Sequence, residues 1–211
     1  IANLTVPYIF STIGTLVPEK LNRAGYSSVA VDDRKESCAM TSYLIGLGHK
    51  DIAIISAESE VDSIGRLRLE GYRDAFAENG LPCREELVRC VEEEIDHFSM
   101  ENGYRTTKKL IESGEKFTAV FATADILAIG ACRALLEAGL RIPEDVSVAG
   151  FDGIELGKYY NPAITTMKQP VGEMAETTVR LLFDIIAGRK EYEHIVFPAV
   201  LEVRESCGEK R

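Results

Sequence analysis

Short apolar runs alternate along this chain with longer stretches whose apolar residues recur every third or fourth position. The short runs are Val6 to Phe10, Ser28 to Val31, Asp51 to Ser56, Leu87 to Cys90, Phe117 to Ala122 and Val146 to Phe151, and each reads as a strand. Ala163 to Met167 and Glu193 to Val203 read as further extended segments. Between the runs, Met40, Tyr43, Leu44 and Leu47 fall at i, i+3, i+4 and i+7 and mark one helix face. Tyr72, Ala75 and Phe76 mark the inner face of a helix over 65–79. Tyr104, Thr107 and Ile111 do so over 99–113, Ala128, Ala131, Cys132 and Leu135 over 125–138, and Met174, Thr178, Leu181 and Ile185 over 172–187. Gly48, Gly80, Gly139 and Gly188 each follow the last residue of such a pattern, where a left-handed residue ends a helix. Asp33 and Glu36 have the spacing of a capping box ahead of the first helix. Strands alternating with helices through short loops predict an α/β fold with a parallel sheet covered on both faces.

That order draws attention to the strand ends, because an open α/β sheet places ligands at the carboxyl ends of its strands. Asp152 closes the run Val146 to Phe151, just before Gly153. Thr123-Ala124-Asp125 follows Phe117 to Ala122. Asp62, Ser63, Arg66 and Arg68 follow the run ending at Ser56, and Phe98 precedes a helix. Carboxylates and guanidinium groups can bond sugar-like hydroxyls bidentately, and a flat ring can cover a C–H face. Each residue also has a plain structural reading. Asp152 can turn the chain, Asp125 can cap its helix, Phe98 can be core, and Arg66 and Arg68 can be salt-bridged or surface arginines. The residues by themselves leave these alternatives open.

Charge and cysteine content narrow the function classes. A formal charge of −10 and a pI near 4.9 argue against this chain gripping nucleic acid by itself, since phosphate binding needs clustered Lys and Arg. The five cysteines are odd in number and contain no C-x-x-C, so neither a disulfide framework nor a zinc site is expected. Cys132 lies in an apolar helical pattern and reads as core, and free thiols suit a reducing cytoplasm. No apolar run approaches the ~20 residues of a membrane span, and the first residues lack the basic start of a signal peptide. Enzyme motifs fail on placement. Gly46-Leu-Gly48 ends a helix where a dinucleotide loop would start one. Gly153 to Gly157-Lys158 has one residue too few for a phosphate-binding loop. There is no G-x-S-x-G and no H-E-x-x-H, and the three histidines are far apart. His49 follows a helix end, where a cation suits the dipole. The expectation is a non-enzymatic protein with no metal or cofactor.

The segments SSVAVDD, YLIGLGHKDIAIIS, IGRLRLEGYRDAFAENGL, FTAVFATADILAIGACRALLEAGLRIPEDVSVAGFDG, YYNPAITTMKQP and LEVRES occur in this order over residues 28–206. Together they resemble the effector-binding core of the lactose-repressor/galactose-repressor transcriptional regulators, which share the type I periplasmic-binding-protein fold. The resemblance implies two doubly wound parallel-sheet subdomains with a ligand cleft between them. It places residues 1–57 plus 168–188 in the first and 58–167 plus 189–208 in the second, with crossings near Ser56–Ala57, Thr166–Lys168 and Gly188. It implies a small-molecule effector (a sugar, sugar phosphate, nucleoside or purine), a homodimer, and DNA contact only through a headpiece not present in this chain. It implies no membrane contact and a cytoplasmic setting. On the family's pattern Asp152 bonds the effector, Arg68 reaches the same ligand and Phe98 stacks on it, with Asp125 and Asp62 as further ligand-binding candidates. The family's common Asn-Asp reads Ala124-Asp125 here, which removes one polar contact. Val6 to Phe10 resembles the fourth strand of the first subdomain. The βα units that ordinarily come before it are not in the sequence, so that subdomain is expected to be incomplete. The alternative is a secreted sugar-binding protein of the same fold serving a transporter. The free cysteines and the PEDVSVAGFDG…TTMKQP signature weigh against it.

Overall fold

The apolar runs are divided between two separate sheets. The computed structural model describes residues 7–11, 26–57, 64–92 and 95–210. Strands β1 (Ile9–Ser11), β2 (Ser27–Val31) and β8 (His194–Phe197) form a small parallel sheet in the order β1-β2-β8. Strands β3 (Ile52–Ser56), β4 (Val88–Cys90), β5 (Ala119–Ala122), β6 (Ser147–Asp152), β7 (Thr165–Lys168) and β9 (Val200–Glu202) form the larger sheet, in the order β4-β3-β5-β6-β7-β9. Every pair in it is parallel except β7 with β9. The helices are α1 (Asp33–Gly46), α2 (Ile64–Glu78), α3 (Met100–Glu112), α4 (Asp125–Glu137), the short α5 (Glu155–Tyr159) and α6 (Val171–Ile186). Val6 lies outside the described residues.

The larger sheet is buried on both faces, which is why its central strands are apolar throughout rather than alternating. Ile52 and Ile54 of β3, Phe121 of β5 and Phe151 of β6 point to one face, where Met40 and Leu44 of α1 and Tyr72 and Phe76 of α2 cover them. Ala53 and Ile55, Val120 and Val148 point to the other, under Leu110 of α3 and Leu127 and Leu135 of α4. The helix pairs approach so closely that only glycine fits at the contact. A Cβ on Gly71 would lie 2.0 Å from the Arg34 carbonyl oxygen, and one on Gly130 would lie 2.0 Å from that of Met100. Against the small sheet α6 packs Met174 and Leu181, while Val179, Phe183 and Ile186 on another face stay exposed.

The first and last changes of sheet do not fall where the resemblance suggests, while the middle one, after Lys168, does. Strand β3 pairs with β5 in the larger sheet, and α1 packs beside α2 over that same sheet, so residues 33–57 do not belong with the first sheet. Ile52 and Ile54 need α1 above them, and Ala53 and Ile55 need the α3–α4 layer below. The chain changes sheet between Val31 and Asp33, again between Lys168 and Val171, and last between Phe197 and Val200, well after Gly188. Two local expectations also shift. Asp32, not Asp33, caps α1 by accepting the Lys35 amide at 3.1 Å, and Glu36 accepts the Ala199 amide at 3.4 Å instead of closing a capping box. Gly48, Gly80, Gly139 and Gly188 all adopt positive φ as expected.

His49 is a buried cross-link, not a cation at a helix end. Its Nδ1 meets the Thr118 hydroxyl at 2.9 Å, and its Nε2 meets the Ser147 hydroxyl at 3.1 Å and donates to the Gly208 carbonyl at 3.0 Å. Burial lowers its pKa, with the Gly208 bond opposing. A group with a depressed folded pKa contributes stability above its ordinary value of about 6.5 and loses it as pH falls through the folded value. His49→Gln is therefore expected to lose about 1–3 kcal/mol at pH 7.5. Part of the protein's acid destabilisation should go with it. Denaturant midpoints at pH 7.5 and 5.5 measure both, and an unchanged acid limb would remove His49 as its source.

Candidate functional site

The larger sheet changes its winding direction between β3 and β5, since β4 lies outside β3 and β6 lies outside β5. Ligands favour the crevice at such a switch point, beyond the carboxyl ends of the strands. Here the Thr123 hydroxyl accepts the Ala57 amide at 3.0 Å and so ties the ends of β3 and β5 together. Arg68, near the start of α2, reaches across this junction. Its side chain is only 4% exposed. Nε donates to Asp33 Oδ1 at 2.8 Å, Nη1 donates to the Thr123 carbonyl and meets Asp152 Oδ1 at 3.4 Å. The guanidinium lies 3.6 Å over the centroid of Phe151. Arg68 and Asp152, separated by 84 residues in sequence, thus share one cluster.

Asp152 ends β6 with φ 108, a left-handed conformation that is costly for any residue with a side chain. Its side chain is 30% exposed. Oδ1 accepts from Gln169 Nε2 at 2.8 Å besides Arg68, and its backbone carbonyl accepts the Gln169 amide at 3.1 Å. Oδ2 makes no protein hydrogen bond among the described residues. Burial raises the Asp152 pKa, with Arg68 and Gln169 pulling it back.

Two members of this cluster escaped the sequence reading. Asp33 is fully buried at the first turn of α1, and burial raises its pKa against the Arg68 charge. The pair Asp32-Asp33 at a strand end was the available signal, because one helix start needs only one cap. Gln169 clamps Asp152 from both side chain and main chain, and its Oε1 is buried with no hydrogen-bond partner among the described residues. It lies within the YYNPAITTMKQP segment that carries the resemblance, but its own residue type marks no chemistry there, since it precedes Pro170 in an ordinary helix approach.

The remaining candidates separate. Asp125 is 0% exposed and does not cap α4, whose N-cap is Ala124. Its Oδ2 accepts the amides of Gly153 and Ile154, both at 2.8 Å, so it contacts the turn after Asp152 from beneath. Phe98 is 40% exposed, so it is not a core residue. It sits ahead of α3 on a loop that Asn102 clamps: Asn102 accepts the Glu92 amide at 2.8 Å and donates to the Glu92 carbonyl at 2.9 Å. Phe98 makes no ring contact with the Arg68–Asp152 cluster among the described residues. Arg66 pairs with Glu70 at 2.9 Å on the helix surface. Asp62 and Ser63 lie outside the described residues. Among the described residues no group of acidic, His and Cys side chains is placed to hold a metal ion. No described helix is long and apolar enough to cross a membrane.

Two α/β sheets in one chain, with a constrained carboxylate at a strand end beside the switch point of the larger one, have the arrangement of a periplasmic-binding-protein-like domain. Residues 41–207 match the model of the periplasmic binding protein-like domain. Over 205 residues the chain is 36% identical to the HTH-type transcriptional regulator MalR of Clostridium butyricum, covering 97% of this chain and 59% of that protein. Among solved structures, a LacI family transcriptional regulator from Enterococcus faecium with bound ribose is 30% identical at a TM-score of 0.81, covering 97% of this chain and 72% of that one. A CelR–cellobiose complex is 33% identical at a TM-score of 0.83, covering 95% and 59%. The chain belongs to the LacI family of transcriptional regulators and carries that family's periplasmic-binding-protein-like domain. It spans just over half the length of the curated relatives it matches.

Proposed function

We propose that this chain is the effector-sensing core of a transcriptional regulator and that it binds an uncharged polyhydroxylated molecule, a sugar, at Asp152. Asp152 carries the reading. One of its carboxylate oxygens is held by Gln169 and Arg68, and the other is left to accept from a ligand at the strand ends. Arg68 is buried, with Nε and Nη1 bonded to Asp33, Thr123 and Asp152, and the Asp152 oxygen left without a bond among the described residues is an acceptor, which suits a hydroxyl group. The sugars bound by the ribose-containing and cellobiose-containing relatives support the same class. Effector binding favours one arrangement of the two sheets only by its differential affinity for that arrangement. In the whole regulator a homodimer carries this bias to a DNA-binding headpiece outside these 211 residues, in the cytoplasm. A thermal-shift panel of ribose, glucose, cellobiose, glucose 6-phosphate and hypoxanthine tests the reading. A saturable rise in Tm with a neutral sugar is expected. A rise only with the phosphate or the purine would overturn the sugar assignment.

A further inference from the structure

The carboxylate beneath the Asp152 turn is a buried titratable group that the proposed effector contacts do not use. Asp152 and Gly153 are both left-handed, with φ of 108 and 76. In this turn the next two amides, those of Gly153 and Ile154, converge on one point. That point is occupied by Asp125 Oδ2, at 2.8 Å from each nitrogen. Converging amides of this kind form a cradle for an anion. Here the anion is supplied by another element, the first residue of α4. The Gly153 amide also meets the Thr166 hydroxyl at 3.2 Å, which secures the same turn from β7.

The other carboxylate oxygen has different surroundings. Asp125 Oδ1 is buried and has no hydrogen-bond partner among the described residues. It lies 2.1 Å from where a Cβ on Gly150 would be, so glycine at that position is what leaves room for the carboxyl group. Asp125 therefore grips the turn with Oδ2, the Thr166 hydroxyl also stabilises the carboxylate, and Oδ1 has no hydrogen-bond partner among the described residues.

We propose that Asp125 is a positioning residue for the Asp152 site: as a carboxylate it holds the Asp152–Ile154 turn in its left-handed form, and proton uptake at Oδ1 loosens that hold. The proposal rests on the reading of Asp152 as the effector contact. Bonds from an amide to a carboxylate are roughly twice as strong as those to a neutral oxygen, so neutralising Asp125 weakens both clamps at once. Burial pushes the Asp125 pKa up to about 6, against the opposing pull of Thr166 and the two amides, and the nearby Asp152 adds to the rise. The charged groups that face it are few. Asp152 stands across the turn. Arg204 lies on the far side of Gly157, where an added Cβ would be 3.6 Å from Arg204 Nη1 and 3.7 Å from Asp125 Oδ2. Beyond Thr123 is the Arg68–Asp33 pair. Above the midpoint the clamp is charged and complete, and below it the turn is held by neutral bonds.

The test is an NMR titration of the 15N-labelled chain without any sugar, compared with Asp125→Asn, which keeps an amide oxygen for the two N–H groups. The proton shifts of the Gly153 and Ile154 amides are expected to move together with a midpoint near pH 6, and to be flat in Asp125→Asn. Flat shifts in the parent, or an unchanged titration in the variant, would overturn the clamp. If the variant unfolds, the parent titration alone decides. A neutral sugar that raises Tm in the panel above should bind the parent roughly threefold more weakly at pH 5.5 than at pH 7.5, with Asp125→Asn largely insensitive to pH. Titrating amides with an affinity that does not change would confine Asp125 to a structural role and overturn its positioning role. Titrating amides with no sugar bound would uphold the clamp and refute the effector reading of Asp152.

Discussion

Replacing Asp152 with glycine is expected to abolish effector binding while leaving the chain at least as stable as before. The two halves of this expectation have separate causes. At φ 108 a residue with a side chain carries strain of about 1–3 kcal/mol, which glycine does not. Glycine also removes a partly desolvated carboxylate, and Arg68 keeps its closer partner, Asp33, at 2.8 Å. Binding loses the Asp152 oxygen that has no protein bond among the described residues and frees the Gln169 amide that steadied its neighbour. A hydrogen bond to a charged group is worth about 1.5–3 kcal/mol, so two of them account for a loss of at least ~100-fold. Calorimetry with a sugar that shifts the parent's Tm, beside thermal unfolding of both proteins, measures each half. Affinity within tenfold of the parent would remove Asp152 from the binding site. Loss of both binding and stability would mean that the carboxylate is structural.

Much of the fold was legible because each central strand of the larger sheet is buried on both faces. Ile52-Ala53-Ile54-Ile55 has no polar position to confuse the reading, and the glycines that close the helices are in their expected places. The misreadings have a common cause, which is that close packing of small residues leaves no hydrophobic signal. Of the inward residues the sequence predicts for helix α3, Thr107 is buried and Ile111 packs on the core, but Tyr104 turns outward to Glu137. The helix buries Gly103, Thr106, Thr107 and Leu110, because Gly103 must face the α4 backbone, where a Cβ would lie 2.2 Å from the Leu127 carbonyl oxygen. Sheet membership was misread because a strand's own residues do not say which sheet it joins. That is settled by partners such as β5 for β3 and β2 for β8. Asp152 and Arg68, candidates from their places at a strand end and a helix start, do meet in one cluster. Asp125, which the sequence offers as a helix cap, does not cap α4. The sequence cannot show that its oxygen faces amides 28 and 29 residues away instead of those of its own helix.

Arg68→Met is expected to be the most destabilising single change at the site, by about 3–5 kcal/mol, because it leaves Asp33 buried and charged with no counter-ion. Methionine keeps contact with the Phe151 ring, so packing contributes little to the loss. The sign of the pH dependence follows from Asp33. Its folded pKa is already raised by burial, and removing Arg68 takes away the charge that pulls it down. The unpaired carboxyl can fold in its neutral form, so the deficit should shrink as pH falls toward the ordinary carboxylate range of about 4. Replacing both partners, with Arg68→Met and Asp33→Leu together, should recover most of the stability, because an apolar pair of similar volume avoids the desolvation of two charges. Denaturant unfolding of the two single variants and the double at pH 7.5 and 5.0 closes the cycle. A single variant that loses less than ~1 kcal/mol, a value usual for exposed ion pairs, would show that the pair is solvated in solution. A stable double variant would leave Asp152 with Gln169 alone, and its affinity for a sugar would then measure what the guanidinium contributes to orienting that carboxylate.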